Sequence, residues 1–371
     1  MVSNPLLWAD HRTEAYEVRV LSAEGRDLGR LDGVVGGSIT ASTDSRIKRA
    51  GKLSVVSFQP PEWWATKQLQ VFVTVNGVRW SLGIFIPTSP AHDYRGEGVE
   101  YEIELHDKLL IPDQDAVTDP YSIEVGTDLR AHVIAMLTLF DAGPVQLGPF
   151  WSDLRSNGLP YSDGTNKRPL TWDAGTSKLT IINDILDYIG YFSLSVSPTG
   201  TFQSEKYRIP AERSITWQLF EGSRAIHSTQ WSFEQDLAGV PNRVVYTTAE
   251  AMPDDMDMEV PLLRSSWENT DASDPFSFQS RGRWITEVKT DAEAYSQEEL
   301  DAMVARRVKN ALDPMRKVVV ENAMLPFELN QLVEFKSADR HEVLSIRKFE
   351  IDLSPGALMT TTLRGVNREV G

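Results

Sequence analysis

The fold class is decided by residues 73–107, which read VTVNGVRWSLGIFIPTSPAHDYRGEGVEYEIELHD. Apolar and polar residues alternate along this stretch, which is the period of a half-buried β-strand. Asn76-Gly77 separates two such runs, and Asn-Gly favours the two-residue turn of a β-hairpin. Similar runs, AYEVRVL, KLSVVSF and LQVFVTV, come earlier in the chain. Residues 15–118 therefore predict an all-β region, a sandwich or a barrel.

A related pattern closes the chain. Residues 341–366 read HEVLSIRKFEIDLSPGALMTTTLRGV, a long strand and a closing strand joined by a Ser-Pro corner, as in residues 80–107. The two stretches share few identical residues, so an internal repeat is indicated only by their common order of strand, corner and strand. The sequence predicts one β module near each end, each with a sheet of its own, around a helical middle.

The middle region opens with two predicted helices. Thr127 is the predicted N-cap of the first, whose apolar face carries Leu129, Val133, Leu137 and Phe140. The second spans 179–189, with its apolar face formed by Leu179, Ile181, Ile182, Ile185, Leu186 and Ile189. A hairpin follows, in which Phe192, Leu194 and Val196 alternate with serines before the turn Ser197-Pro198-Thr199-Gly200.

A third helix is predicted after an acidic insertion at 250–283. The capping box Ser296-Gln297-Glu298-Glu299 begins it, and Pro314 follows its end. Its predicted buried stripe is Leu300, Val304, Val308 and Leu312.

Composition excludes several classes of protein. The 371 residues carry a net charge of −16, which disfavours binding to DNA or to anionic membranes. The chain has no cysteine, so neither disulfides nor thiolate metal sites contribute to the fold. The sequence predicts neither a signal peptide nor a membrane span, hence a soluble protein made in a cytoplasm.

Candidate chemistry is sparse. The six histidines belong to no metal or catalytic motif, and nucleotide-binding and serine-hydrolase motifs are absent. The histidines are His11, His92, His106, His132, His227 and His341. Asp254, Asp255, Asp257 and Glu259 could hold a hard cation, but they lack the turn glycine of a calcium loop. Asp184 and Asp187 lie opposite the apolar face of their helix, which indicates a solvated surface. We therefore predict no catalytic, cofactor-binding or metal-binding residue, and no enzymatic activity.

Several phrases of the sequence, in this order, resemble the baseplate hub or tail-tip protein of long-tailed bacteriophages. The most specific is WDAGTSKLTIINDILDYIGYFSLSVSPTGTFQSEKYRIPAERS at 172–214. The others are SITASTDSRIKRAGKLSVV, the hairpin at 73–94, VEYEIELHDKLL, EQDLAGVPNRVVYTTAE, LPFELNQLVEF and TTTLRGV. None is a catalytic signature, and together they span most of the chain.

The resemblance implies a mainly β fold with an α+β middle region, in which two tube-like β-barrel modules flank a helix-containing insertion domain. It places the first module at 1–118, the middle region at 119–212 plus 250–315, and the second module at 213–249 plus 316–371. It further implies a homotrimer that forms a pseudo-sixfold ring in the virion tail tip. The expected partners are the distal tail protein, the tape-measure protein and tail fibre or tip proteins.

Two alternatives remain open. A glycan-binding adhesin would use Trp63-Trp64, since aromatic rings stack on sugars, although a subunit contact suits them equally. A cell-wall hydrolase is less favoured, because the chain stops at Gly371 without the extension that carries a lysin in many relatives. For a hub, the acidic composition predicts a channel wall that repels DNA and binds no nucleic acid specifically. The alternative is that the acidic residues serve solubility on the outer face.

Overall fold

The computed structural model describes residues 12–57, 66–95, 98–139, 143–148, 165, 169–208, 213–223, 225–235, 239–248, 262–292, 294, 297–312 and 316–366. Within these ranges the chain forms 21 strands and five helices, so it is mainly β as predicted. No helix in the described part is long and apolar enough to cross a membrane.

Seven strands form the first β region. They are β1 (Glu14–Leu21), β2 (Asp27–Arg30), β3 (Val34–Ser42), β4 (Arg49–Ser57), β5 (Gln68–Val75), β6 (Val78–Arg95) and β7 (Gly98–Asp107). The predicted turn at Asn76-Gly77 joins β5 to β6, and both residues have the positive φ, 47° and 80°, that such a turn needs. The pairing of β6 with β7 shifts between Thr88 and Ala91, which is a bulge at the Ser-Pro corner.

The next elements form a first α/β unit. They are α1 (Leu110–Gln114), β8 (Tyr121–Ile123), α2 (Leu129–Thr138), β9 (Val145–Leu147), β10 (Leu170–Trp172), α3 (Lys178–Tyr188), β11 (Ser195–Val196) and β12 (Phe202–Ser204). All six apolar residues predicted for the face of α3 are buried in one core with Leu129, Val133 and Phe202. Burying such a side chain stabilises the fold by roughly 1.5–3 kcal/mol, so this face holds the unit together.

The cap predicted for α2 is wrong by one residue. Asp128 is the N-cap, and its carboxylate accepts the backbone N–H of Ala131 at 3.0 Å. The hydroxyl of Thr127 instead donates to the carbonyl of Glu124 at 2.7 Å, within the preceding turn. Both residue types favour caps, and the local turn decided between them.

The remaining strands belong to two sheets, the large sheet and a three-stranded sheet formed by the third, fourth and fifth of them. Together with the helices of this part, they are β13 (Ile215–Phe220), β14 (His227–Gln235), β15 (Arg243–Thr248), β16 (Arg264–Glu268), α4 (Phe278–Arg281), β17 (Thr286–Ala292), α5 (Gln297–Leu312), β18 (Arg316–Asn322), β19 (Leu332–Lys336), β20 (His341–Asp352) and β21 (Met359–Gly365).

A second α/β unit is formed by β15, β16, β17 and α5. Leu300 and Val304 of α5 are buried against Val244 and Tyr246 of β15, as the predicted stripe requires. The predicted cap Ser296, the side chain of Leu312 and Pro314 lie outside the described residues. β15 falls within the stretch predicted for the second β module, but it pairs with β16 and β17.

The two β regions share one 13-stranded sheet. Its order is β14-β18-β21-β20-β3-β4-β7-β6-β5-β1-β2, and β13 and β19 join it through β20. The expectation of separate sheets is therefore wrong, because β20 pairs with β3 along five residues from Lys348–Ser42 to Asp352–Ser38. Periodicity predicts which residues form strands, but it carries no information on which strand edges meet. One apolar core lies beneath both halves.

Candidate assembly surfaces

The strand order repeats within the large sheet. We call β3, β4, β6 and β7 the first four-strand unit, and β14, β18, β20 and β21 the second four-strand unit. Across the sheet the second unit runs β14-β18-β21-β20 and the first runs β3-β4-β7-β6, so both place their strands in the order first, second, fourth, third. This order agrees with the internal repeat predicted from the sequence.

The third strand of each unit is built alike. β6 pairs with β5 along its first half, and β20 pairs with β19 along its first half. Each then has a bulge, between Thr88 and Ala91 in β6 and between Ile346 and Lys348 in β20. Beyond the bulge, β20 has β21 on one side and β3 on the other. We call this β20–β3 contact the internal joint.

Two strand edges have no counterpart to the internal joint. Beyond its bulge β6 pairs with β7 alone among the described strands, and β14 pairs with β18 alone. We call residues 91–95 the β6 edge and residues 227–235 the β14 edge. Open edges of this length present unpaired backbone groups that favour pairing with another chain, and proteins usually cover or shorten them.

One side of the eight strands in the two units packs on the core, and the other, the polar face, does not. Residues opposite each other in a ladder point to the same side, which assigns the polar face. The side chains described there include eight acidic residues, Asp93, Glu100, Glu102, Glu104, Glu234, Glu321, Glu350 and Asp352, and four basic ones, Lys52, Lys317, Lys348 and Arg364. The polar face therefore carries an excess of negative charge.

The first α/β unit is attached next to the internal joint. Arg49 of β4 is buried, and its guanidinium donates to the carbonyl of Val196 at 2.5 Å and to the carboxylate of Glu328. The hairpin turn adds a bond from the hydroxyl of Ser81 to the carbonyl of Pro198 at 2.6 Å. The predicted helix–hairpin thus fixes the α/β unit to the sheet.

Asp107 supports this attachment from the interior. Its carboxylate accepts the backbone N–H of Leu109 and that of Arg49, both at 2.8 Å. Burial raises the pKa of Asp107 to about 6, since desolvation outweighs these two hydrogen bonds. Neither Arg49 nor Asp107 was singled out from the sequence. The alternation of the strands indicates that both side chains point inward. Arg49 lies on the same side of β4 as Leu53, and Asp107 lies on the same side of β7 as Leu105.

The sequence-predicted candidates do not converge on a site. His132 bonds the hydroxyl of Tyr121 and His341 contacts Glu334, both at 2.8 Å, in different parts of the fold. Asp184 and Asp187 are exposed on α3 as predicted, and Asp184 accepts the indole N–H of Trp172. Among the described residues, no group of three His, Cys, Asp or Glu side chains could hold a metal ion.

Some candidates lie outside the described residues. They are His11, the side chain of His92, Trp63 and Trp64, and the acidic cluster Asp254, Asp255, Asp257 and Glu259.

Comparison with known proteins gives structural matches only. No protein-family model matches the chain, and no curated protein matches its sequence. A tail protein from Neisseria meningitidis MC58 matches with a TM-score of 0.66 at 12% identity, covering 94% of this chain and 96% of that one. The 43 kDa tail protein of prophage MuSo2 from Shewanella oneidensis matches with a TM-score of 0.65 at 11% identity, covering 95% and 98%.

A prophage tail protein from Listeria monocytogenes EGD-e matches with a TM-score of 0.56 at 11% identity, covering 96% of this chain and 95% of that one. All three matches extend over nearly the whole of both chains, so they concern the complete arrangement of strands and helices. The chain therefore has the fold of bacteriophage tail proteins, which confirms at the level of fold the resemblance seen in the sequence.

Proposed function

We propose that this chain is a structural hub subunit of a bacteriophage tail tip, made in the host cytoplasm and located in the virion. The fold shared with one tail protein and two prophage tail proteins supports a tail role. The repeated four-strand unit with two open edges supports a subunit of a closed ring. In this role the chain has no enzymatic activity and needs no cofactor.

The ring contains three copies, each contributing two four-strand units, so that six similar units surround the tail axis. The contact between copies repeats the internal joint, with the β6 edge of one copy against the β14 edge of the next. Neighbouring strands alternate in direction across all eight strands of the two units. The β6 and β14 edges therefore meet antiparallel, as β20 and β3 do.

The repeat also gives the register on β6. Ala91 and Lys348 are equivalent, because each is the first paired residue after the bulge of its strand. Four residues further on, Arg95 of β6 is the equivalent of Asp352 of β20.

The register on the other strand follows from the pairs across each unit. The pairs that start from Lys348 lead across β21 and β18 to Ser232 of β14, and those that start from Ala91 lead across β7 and β4 to Gly36 of β3. Two residues further along each strand, Glu234 is therefore the equivalent of Ser38. At the internal joint Asp352 pairs with Ser38. The same register places the backbone of Arg95 of one copy opposite the backbone of Glu234 of the next.

The polar face lines the channel of this ring. Its acidic excess repels the phosphate backbone over about one Debye length, ~8 Å at physiological salt, so DNA passes without binding. The outer surfaces and the two α/β units contact the distal tail protein, the tape-measure protein and tail fibre or tip proteins. The division into modules at 1–118 and at 213–249 plus 316–371, around an α/β middle region, is part of this proposal, except that β15 belongs to the second α/β unit.

Disulfide trapping tests the ring. The chain has no cysteine, so the double variant Arg95→Cys with Glu234→Cys creates the only thiols. A disulfide needs Cα atoms within about 7 Å. The two edges of one chain belong to the first and the eighth strand of the two units, seven spacings or on the order of 30 Å apart, so only a contact between copies forms the bond. Oxidation of concentrated protein is expected to give covalently closed trimers on a non-reducing gel.

The matched control pairs Arg95→Cys with Glu321→Cys. Glu321 is exposed on the same polar face but lies on β18, one strand further into the sheet. This pair is expected to remain monomeric. Equal cross-linking of both pairs, or none with Glu234→Cys at any concentration, would contradict the proposed contact.

A further inference from the structure

A deep cleft separates the first α/β unit from the large sheet. Its volume is about 690 Å³, and its walls come from the β3–β4 turn, from β9, β11 and β12, and from the loop at 328–331. A second cavity of about 220 Å³ continues it toward the end of β21. The two share Phe192, Arg213, Asn330 and Arg347, so they form one groove.

The groove is basic in a chain that is strongly acidic. Six basic residues line it, Lys48, Arg49, Arg213, Arg307, Arg347 and Arg364, against two acidic ones, Glu205 and Glu328. Both acids have partners, since Glu328 contacts Arg49 and Glu205 contacts Arg208. Arg307 pairs with Glu287, Arg347 contacts Asp44, and the charge of Glu205 also favours the charged form of Arg213. The described lining keeps an excess of basic over acidic residues.

Lys48 and Arg347 are the best-placed donors. The ammonium of Lys48 donates to the carbonyl of Thr43 at 2.7 Å, which is a neutral acceptor. Arg347 donates one Nη2–H to Asp44 at 2.9 Å, while its Nε is buried without a hydrogen-bond partner among the described residues. A buried donor without an acceptor costs roughly 1–3 kcal/mol, and a ligand oxygen at this point would remove that cost.

Burial makes these charges costly. Desolvation lowers the pKa of Lys48, and Arg347 adds to this effect, while Asp44 and Asp107 oppose it. Desolvation also lowers the pKa of Arg213. An anion between these side chains would compensate both effects.

The opposite wall offers neutral hydrogen-bonding groups. Gln146 and Gln203 project from the three-stranded sheet of the first α/β unit, where the hydroxyl of Ser195 donates to the carbonyl of Gln203, and Asn330 and Gln331 project from the facing loop. Amides and hydroxyls of this kind bind the further oxygens of a polar ligand.

We propose that this groove binds a small multivalent oxyanion of the phosphate class, with Lys48 and Arg347 as its principal donors. The volume accepts a diphosphate group and excludes a DNA duplex. The proposal concerns the single chain, so it stands or fails independently of ring assembly.

Calorimetric titration of the purified chain at low salt tests this site. Inorganic pyrophosphate and adenosine diphosphate are titrated separately, because a diphosphate group can come from either source. Saturable one-to-one binding of pyrophosphate is expected. Loss of one charge-assisted hydrogen bond in Arg347→Gln or Lys48→Gln should weaken it by about tenfold or more. Tighter binding of the nucleotide would identify a nucleotide as the source, and equal binding would identify free diphosphate.

The matched control is Arg30→Gln on β2, which removes the same charge from an exposed site beside Asp32. It should leave affinity unchanged. Thermal melts of all three variants identify any loss that is due to unfolding. The absence of saturable heat with both probes would overturn the proposal, as would equal weakening by Arg30→Gln.

Discussion

Replacing Arg49 by methionine removes the guanidinium that joins β4, the first α/β unit and the loop at 328–331. The Arg49 side chain is 5% exposed, and it donates to the carbonyl of Val196 and to the carboxylate of Glu328. Each charge-assisted bond contributes roughly 1.5–3 kcal/mol, and breaking a buried pair costs roughly 3–5 kcal/mol. Glu328 is 34% exposed and regains water, and methionine keeps the apolar contacts of the stem. We therefore expect a net loss of about 3 kcal/mol in the free energy of unfolding.

Urea unfolding followed by circular dichroism measures this loss, with Arg46→Met as the matched control. Arg46 also links the β3–β4 turn to the α/β unit, through Asp113, Ser177 and Thr180, but its side chain is 53% exposed. Exposed pairs contribute about 0–1 kcal/mol, so the control should lose less than about 1 kcal/mol. An Arg49→Met variant no less stable than Arg46→Met would refute the role assigned to the buried guanidinium.

Because the folded-state pKa of Asp107 is raised to about 6, the protonated side chain contributes to the free energy of unfolding below about pH 4, and this contribution is lost as the pH rises through 6. The stability of the natural chain relative to Asp107→Asn should therefore fall by up to about 3 kcal/mol between about pH 4 and pH 7, and a pH-independent difference would contradict this. Gly200 has a φ of 86°, and a Cβ added there would meet Ile84 Cδ1 at 2.8 Å, so Gly200→Ala should lower the free energy of unfolding by about 1–3 kcal/mol. As the control, Gly36→Ala places its Cβ in open space and should change the free energy of unfolding by less than about 0.5 kcal/mol. In the assembled ring, the double variant Glu102→Lys with Glu104→Lys on the polar face should bind DNA in a filter-binding assay, with an affinity that falls as salt is added. The unchanged ring should show no binding, and tight binding by it would contradict an acidic channel.

Local structure was largely predictable from the sequence. The alternation in residues 73–107 predicted β5, β6 and β7, and Asn76-Gly77 predicted the turn between the first two. The apolar stripe of α3 predicted its buried face, since 3.6-residue periodicity is a local property of the chain. The Ser-Pro corners that suggested the internal repeat are not equivalent in the fold, since Ser89-Pro90 lies at a bulge inside β6 and Ser354-Pro355 lies between β20 and β21.

Long-range features were not predictable. The pairing of β20 with β3 joins residues about 300 positions apart, and no local pattern encodes such a contact. Arg49 and Asp107 occupy inward positions where a charged residue is unusual, but only the fold shows that the backbone of one bonds the carboxylate of the other. The basic groove likewise brings together Lys48, Arg213 and Arg347 from distant segments, so it forms no cluster of basic residues in the sequence.

The most direct test of the proposed hub is the mass and symmetry of the assembled particle, by native mass spectrometry and electron microscopy of the ring or of isolated tail tips. Three copies of a 41.6 kDa chain predict a ring of about 125 kDa with threefold symmetry. Its density should show six similar four-strand units around a channel, with β6 of each copy beside β14 of the next. A two-fold dimer as the only assembled form would contradict the account.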